Sequence, residues 1–126
     1  MAATAARRDV LEAITAAFNA HDPDAIMAFF ADDCVFETPR GPEPHGRRLV
    51  GREEVRSGFA ARFEGIPDVH YGDDSHWACG DRGVSEWLLT GTSQEGESIA
   101  VRGCDLWTFD DDGRVMRKDS YWKLVE

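Results

Sequence analysis

Basic residues are scarce in this chain. It has 14 Lys and Arg against 24 Asp and Glu, a formal charge of −10 and a sequence pI of about 4.7. A surface of that sign repels nucleic acid phosphates and anionic membranes, so neither is expected as a partner. The basic residues form no stripe; Arg7-Arg8 and Arg47-Arg48 are isolated pairs. Cysteine is sparse too, with Cys34, Cys79 and Cys104 far apart and no CxxC spacing. An odd count, with no export signal in MAATAARRDV, favours a reducing compartment, and the cytoplasm is the expected location. Each cysteine sits in an apolar stretch and is expected as a buried structural thiol. Long apolar runs are missing, so no membrane-spanning helix is expected. No glycine-rich phosphate loop is present, which speaks against nucleotide and flavin binding. The histidines show no HxH, HxxxH or HExxH spacing. His70 and His76, six residues apart on one strand, would lie roughly 20 Å from each other, too far to share a metal. Neither a cofactor nor a metal site is expected.

What remains is ordinary globular composition. Of 126 residues, 42% are apolar and 30% charged. That suffices for one domain with a real core over residues 1–126. Val10, Leu11, Ile14 and Phe18 recur at helical spacing and predict a helix over residues 5–20. Asp22 as N-cap, Pro23 at the first helical position and Asp24 in the first turn start a second helix. Its buried side is Ile26, Phe29 and Phe30, and it stops at Ala31-Asp32-Asp33. Cys34 to Thr38 reads as a short strand ended by Pro39. Residues 40–50 hold Gly41, Pro42, Pro44 and Gly46 and read as a loop. Gly51 opens a third helix with Glu53 and Glu54 in its first turn and Val55, Phe59 and Phe63 on one face. It ends at Gly65-Ile66-Pro67.

The remainder is β. Strands are predicted over 69–78, 84–92, 99–109 and 114–124. The turns between them are Cys79 to Gly83, Ser93 to Glu97 and Asp111-Asp112-Gly113. The order α-α-β-α-β-β-β-β implies an α+β domain. A strongly bent antiparallel sheet wrapped on three helices makes a cone, and a cone of this size can hold a small molecule.

The last hairpin carries the functional signal. Period-two alternation puts Ile99, Val101, Gly103, Asp105, Trp107 and Phe109 on one face of its first arm. Asp105 is the one acid in that apolar row. A carboxylate is costly to bury ionised, which favours its protonated form. Two readings stand: an acid facing the pocket, or a structural group paired with a cation such as Lys118 across the hairpin. On the second arm, if Trp122 faces the pocket, so do Ser120 and Lys118, and Asp119 faces out with Tyr121; Met116 and Leu124 share the Trp122 parity.

Three stretches together resemble the nuclear transport factor two-like (NTF2-like) superfamily, especially its SnoaL-like and ketosteroid-isomerase-like members. They are AAFNAHDPDAIMAFFADDCVFETP (16–39), the segment from His45-Gly46 to Gly51-Arg52-Glu53, and GCDLWTFDDDGRVMRKDSYW (103–122). The resemblance implies a cone of three helices on a curved sheet, a pocket between them, and a dimer through the outer sheet face. In ketosteroid isomerases an acid matching Asp105 stays protonated and donates to the substrate oxyanion. The isomerase base lies just before the proline that ends the first strand; here that place is Thr38, which cannot shuttle a proton at neutral pH. The family's catalytic tyrosine lies in the first helix, where this chain has Ile14 and Phe18. Standard ketosteroid isomerisation is therefore not expected.

The candidate catalytic set is Asp105, Lys118, Glu86 and His45. Glu86 either joins Asp105 in the cone as a second carboxylate or lies in solvent with Trp87 and Leu89 turned to the core. His45 sits on a loop at the expected pocket mouth, where a histidine can serve as acid or base. Glu37 is expected at the rim or surface, and becomes a base only if the first strand is bulged. Phe18, Phe36, Phe59, Val101, Trp107, Ser120 and Trp122 are the expected ligand-binding residues, suited to an apolar, perhaps cyclic, organic molecule. Leu106, Trp87 and Tyr121 are expected on the outer face, as a homodimer contact. The expected function is cofactor-independent chemistry on that molecule: isomerisation, dehydration, cyclisation or hydrolysis. The alternative is a non-catalytic ligand-binding or dimeric association domain.

Overall fold

In the computed structural model, which describes residues 2–126, the elements run α1 (Ala2–Asn19), α2 (Pro23–Met27), β1 (Phe30–Glu37), β2 (Arg48–Val50), α3 (Arg52–Gly65), β3 (His70–Cys79), β4 (Arg82–Thr92), β5 (Ser98–Phe109) and β6 (Val115–Trp122). Six strands make one sheet in the order β2-β1-β6-β5-β4-β3. Only β1 and β6 run parallel; every other pair is antiparallel. The three helices cover one face of this mixed, curved sheet. Leu11, Ile14 and Phe18 from α1 and Val55 and Phe59 from α3 meet Phe36, Trp107, Phe109 and Val115 in the main core. A second cluster, Ile66, Val69, Trp87 and Leu89, continues it toward the open end.

Local chemistry explains most boundaries. Asp22 caps α2 by accepting the Ala25 N–H at 3.1 Å, with Pro23 in the first turn. That helix is shorter than expected. It ends at Met27, and Phe30 starts β1 instead of closing the helix's apolar side. A helix of five residues has little hold of its own, whereas Phe30 in β1 pairs with Val115 and is fully buried.

The expected loop over 40–50 also needs correction. Its glycines and prolines end at Gly46, and Arg48–Val50 returns along β1 as β2, pairing Glu37 with Arg48 and Val35 with Val50. Gly46 makes the return possible. Its φ is +81°, and a Cβ there would meet the Thr38 carbonyl oxygen at 1.8 Å.

Two facings differ from simple alternation. Trp87 points into the cone and is buried, so it is not part of the outer face. A register shift between Thr108 and Phe109 pairs Phe109 with Val115, so Val115 fills the core and Met116 is only half-buried. The cysteines are free, and only Cys34 is buried; Cys79 is exposed on β3 and Cys104 half-buried. Among the described residues no helix is long and apolar enough to cross a membrane.

Candidate functional site in the cone

Sheet register assembles the site. His76, Ser85, Asp105 and Ser120 are successive partners across β3, β4, β5 and β6. They form one row on the inner face, and all are buried. The flanking row toward β1 holds Gly83, Trp107, Lys118 and Phe36; the row toward the open end holds Trp87, Gly103 and Trp122. Long side chains from these rows reach diagonally into the polar one.

Asp105 is where those reaches converge. Its Oδ1 accepts from Lys118 Nζ at 3.0 Å and from Ser120 Oγ at 2.5 Å. Its Oδ2 accepts from the Trp87 indole Nε1 at 2.9 Å. An acid ringed by donors on both oxygens is arranged as a carboxylate acceptor, not as a proton donor. Gly103 permits the Trp87 contact: a Cβ there would meet Trp87 Cη2 at 2.4 Å and the Tyr121 carbonyl oxygen at 2.5 Å. Asp105 is therefore not the solitary acid that its apolar row suggests. Its partners all lie on the neighbouring strands, Trp87 on β4 and Lys118 and Ser120 on β6.

Lys118 is buried and lies over four aromatic rings. Its Nζ is 4.6 Å from the Phe36 centroid, 5.4 Å from Phe18, 5.7 Å from Trp107 and 5.8 Å from Phe59. It also donates to Ser120 Oγ at 2.6 Å. Burial pushes the amine below its ordinary value; the Asp105 charge and hydrogen bond push it back without overcoming that.

An inner cavity of about 210 Å³ opens beside this cluster. Phe18, Phe36, Phe59, Trp87 and Trp122 supply its apolar wall; Lys118, Ser120, Tyr71, Thr38 and Arg62 supply its polar groups. Asp105 does not reach it. It borders instead a void of about 10 Å³, shared with Ile14, Thr15 and Trp107, room for about one water. Asp105 thus stands behind Lys118 and Ser120, which face the cavity. Past Thr38, Pro39, Arg62 and Trp122 the cavity meets an outer groove of about 640 Å³, walled by Ile66, Leu89, Ile99, Val101 and Leu124. Thr38, Tyr71 and Arg62 are the polar lining groups absent from the sequence-derived set. Burial pushes the Tyr71 phenol well up, against the pull of the nearby Arg62 charge. The available signal for Tyr71 was its shared strand parity with buried Val69.

The other expected residues are distributed unevenly. Phe18, Phe36, Phe59, Ser120 and Trp122 line the inner cavity, and Val101 lines the groove. Trp107 is packed beneath Lys118. Glu86 is corrected to the outer face, exposed, because the parity that turns Trp87 inward turns Glu86 outward. His45 is corrected too: it borders neither the cavity nor the groove. Its loop folds onto the β1 edge, where Thr38 N–H donates to the Arg47 carbonyl at 2.9 Å and Arg47 N–H to Thr38 Oγ1 at 3.0 Å. Glu37 is buried, on the far side of the sheet from Phe36. It accepts from Arg48 at 2.7 Å and from Arg117. Burial alone would raise Glu37, but the two guanidiniums outweigh it and hold the acid below its ordinary value.

A second polar chain lies beside the first. His76 sits between Asp74 Oδ2 and Ser85 Oγ, 2.7 Å from each, and Trp107 Nε1 donates to Ser85 Oγ at 2.9 Å. With Trp107 donating, a neutral His76 completes the chain when Ser85 donates to Nδ1 and Nε2–H donates to Asp74. Ser85 lines neither cavity nor groove. Among the described residues, no group of three or more His, Cys, Asp or Glu is placed to hold a metal.

The fold agrees with comparison to known proteins. The chain matches the SnoaL-like domain over residues 11–118 and belongs to that family. The fold is NTF2-like. A candidate polyketide cyclase from Xanthomonas campestris pv. campestris is similar at 22% identity, covering 96% of this chain and 93% of that one, with a TM-score of 0.85. An NTF2-like protein of unknown function from Mesorhizobium loti is similar at 27% identity, over 94% and 91% of the two chains, with a TM-score of 0.76. TerC, co-crystallized with polyporic acid, is similar at 19% identity, over 93% and 91%, with a TM-score of 0.77. No curated protein matches the chain.

Proposed function

We propose that the chain binds a small ring-bearing organic molecule in the inner cavity and acts on it without a cofactor. One observation carries this: a buried ammonium, Lys118, faces a cavity walled by aromatic rings and is held by Asp105 and Ser120. A preoriented donor in a dry cavity stabilises an oxygen on which negative charge develops. The reactions that develop such an oxygen next to a ring carbonyl are isomerisation, dehydration and ring closure. Lys118 would donate to that oxygen, Tyr71 is a second donor in the same wall, and Asp105 is the positioning group. The cavity is small for a drug-sized ligand, which takes about 300 Å³ or more, so larger substituents would extend into the groove. The description of one structural relative as a candidate polyketide cyclase, and the polyporic acid in TerC, favour this substrate class.

The rival is binding without catalysis. It is favoured by the absence, among the described residues, of any carboxylate in the cavity wall that could remove a proton. Two measurements separate them. Polyporic acid added to the protein should quench fluorescence from Trp87 and Trp122 and raise Tm. A cyclic ketone incubated in D2O should then exchange its α-protons faster with the parent protein than with Lys118→Met. Binding with no Lys118-dependent exchange supports the rival, and no binding overturns both.

The outer sheet face exposes Trp77 and Tyr121. We read it as a homodimer contact, which light scattering on the purified chain tests. Three free cysteines suit the reducing cytoplasm.

A further inference from the structure

We infer that the cone selects a ring-bearing monoanion, an aromatic or alicyclic carboxylate, and that Arg62 is the residue that reads its charge. This rests on the cavity-binding reading above and names its substrate class.

The chain's formal charge is −10, yet among the described residues no Asp or Glu lines the inner cavity. The charged groups that do are Lys118 and Arg62. Lys118 is matched by Asp105 behind it, at 3.0 Å. Arg62 has no such match: none of the ion pairs among the described residues includes it. It is half-buried in the last turn of α3, and its guanidinium lies 4.8 Å over the Trp122 ring. Its position is the neck, because it lines both the inner cavity and the outer groove. The groove adds Arg40 and Lys123 against one acid, Glu97.

A half-buried guanidinium stacked on an indole is oriented but has unused donors. Its planar fork suits a carboxylate, which can accept two parallel N–H groups. Screening by water is reduced at such a site, so the charge counts for more than it would on the surface. A neutral carbonyl could accept from the fork but would not match its charge, whereas a carboxylate does both; within the inner cavity Arg62 is the one cation without an ion-pair partner among the described residues. The ring then lies among Phe18, Phe36 and Phe59, and a ring oxygen points toward Lys118. In a molecule this acidic, a positively lined neck also draws anions that the rest of the surface repels.

The test uses two probes of the same shape, 2-naphthoate and neutral 2-naphthamide, titrated calorimetrically into the whole chain. The parent protein is expected to bind the naphthoate about tenfold or more tightly than the amide, the scale of a charge-assisted hydrogen bond. Arg62→Gln should abolish that preference by weakening the naphthoate far more than the amide, and Arg62→Lys should keep part of it. A Tm for Arg62→Gln close to the parent value confirms that the fold is retained. Equal affinity for the two probes in the parent, or a preference that survives Arg62→Gln, overturns the anion inference and leaves the cavity reading standing. Failure of both probes to bind the parent overturns the two together.

Discussion

Lys118 Nζ and Asp105 Oδ1 lie 3.0 Å apart, on neighbouring strands, with both side chains nearly inaccessible to water. Neither charge has a favourable alternative in that position. The ion pair, together with Ser120 and Trp87, explains why an acid and an amine are retained in a wall otherwise made of aromatic rings.

Removing one partner should cost far more than removing both. Asp105→Asn leaves a buried ammonium without its counter-charge and is expected to lower unfolding free energy by about 3–5 kcal/mol. Lys118→Met strands the carboxylate at similar cost. The double variant Asp105→Asn/Lys118→Met should recover most of the loss, because it leaves no buried charge. Urea unfolding of the four proteins forms a double-mutant cycle. Additive losses would mean that the two groups are not coupled.

Ser85→Ala removes one hydroxyl and two partners. The Trp107 N–H and His76 Nδ1 both lose their hydrogen bond, and both side chains are buried. Each stranded group costs about 1–3 kcal/mol. A loss below about 0.5 kcal/mol would show that the Asp74–His76–Ser85–Trp107 chain contributes nothing beyond packing.

Gly103→Ala places a methyl group 2.4 Å from Trp87 Cη2 and 2.5 Å from the Tyr121 carbonyl oxygen. The carbonyl belongs to the backbone of β6 and cannot move aside, so Trp87 must shift and its bond to Asp105 with it. The expected cost is about 1–3 kcal/mol, with a red shift in tryptophan emission as the indole leaves its buried acceptor. Unchanged emission and stability would contradict the packing of Trp87 against β5.

Acid should weaken the protein through Glu37. Arg48 and Arg117 hold its carboxyl below the ordinary glutamate value of about 4.5. The folded acid therefore keeps its charge at pH values where the unfolded acid has taken a proton. The unfolded state binds more protons there, so this contribution is complete above about pH 4.5 and is lost as pH falls through the lower folded value. Asp24 and Asp68, also held low by their partners, act in the same direction. Asp119 is raised by its burial and opposes them. Glu37→Gln should flatten the fall in stability between pH 5 and 3, measured by urea unfolding across that range. An identical slope in parent and variant would exclude Glu37 as a source.

The chain by itself determined three helices and five of the six strands, all but β2, and which side of β5 is buried. Those follow from local spacing: the stripe of Leu11, Ile14 and Phe18, the Asp22-Pro23 start, and the strict alternation from Ile99 to Phe109. It also tied the facings of Lys118 and Ser120 to that of Trp122, with Asp119 opposite, and left to the structure which way Trp122 points. Only the tertiary structure decided the company each polar group keeps. Trp87, Lys118 and Ser120 reach Asp105 through a register that no single strand encodes. Arg62 enters the cavity because the end of α3 crosses the open end of the sheet, and Glu86 leaves it because Trp87 does not. Spacing along one element fixes a side chain's direction, but partners across the sheet depend on pairing, twist and bulges among distant segments. Asp105 is the clearest case: its strand made it the lone acid in an apolar row, and the fold surrounded it with donors.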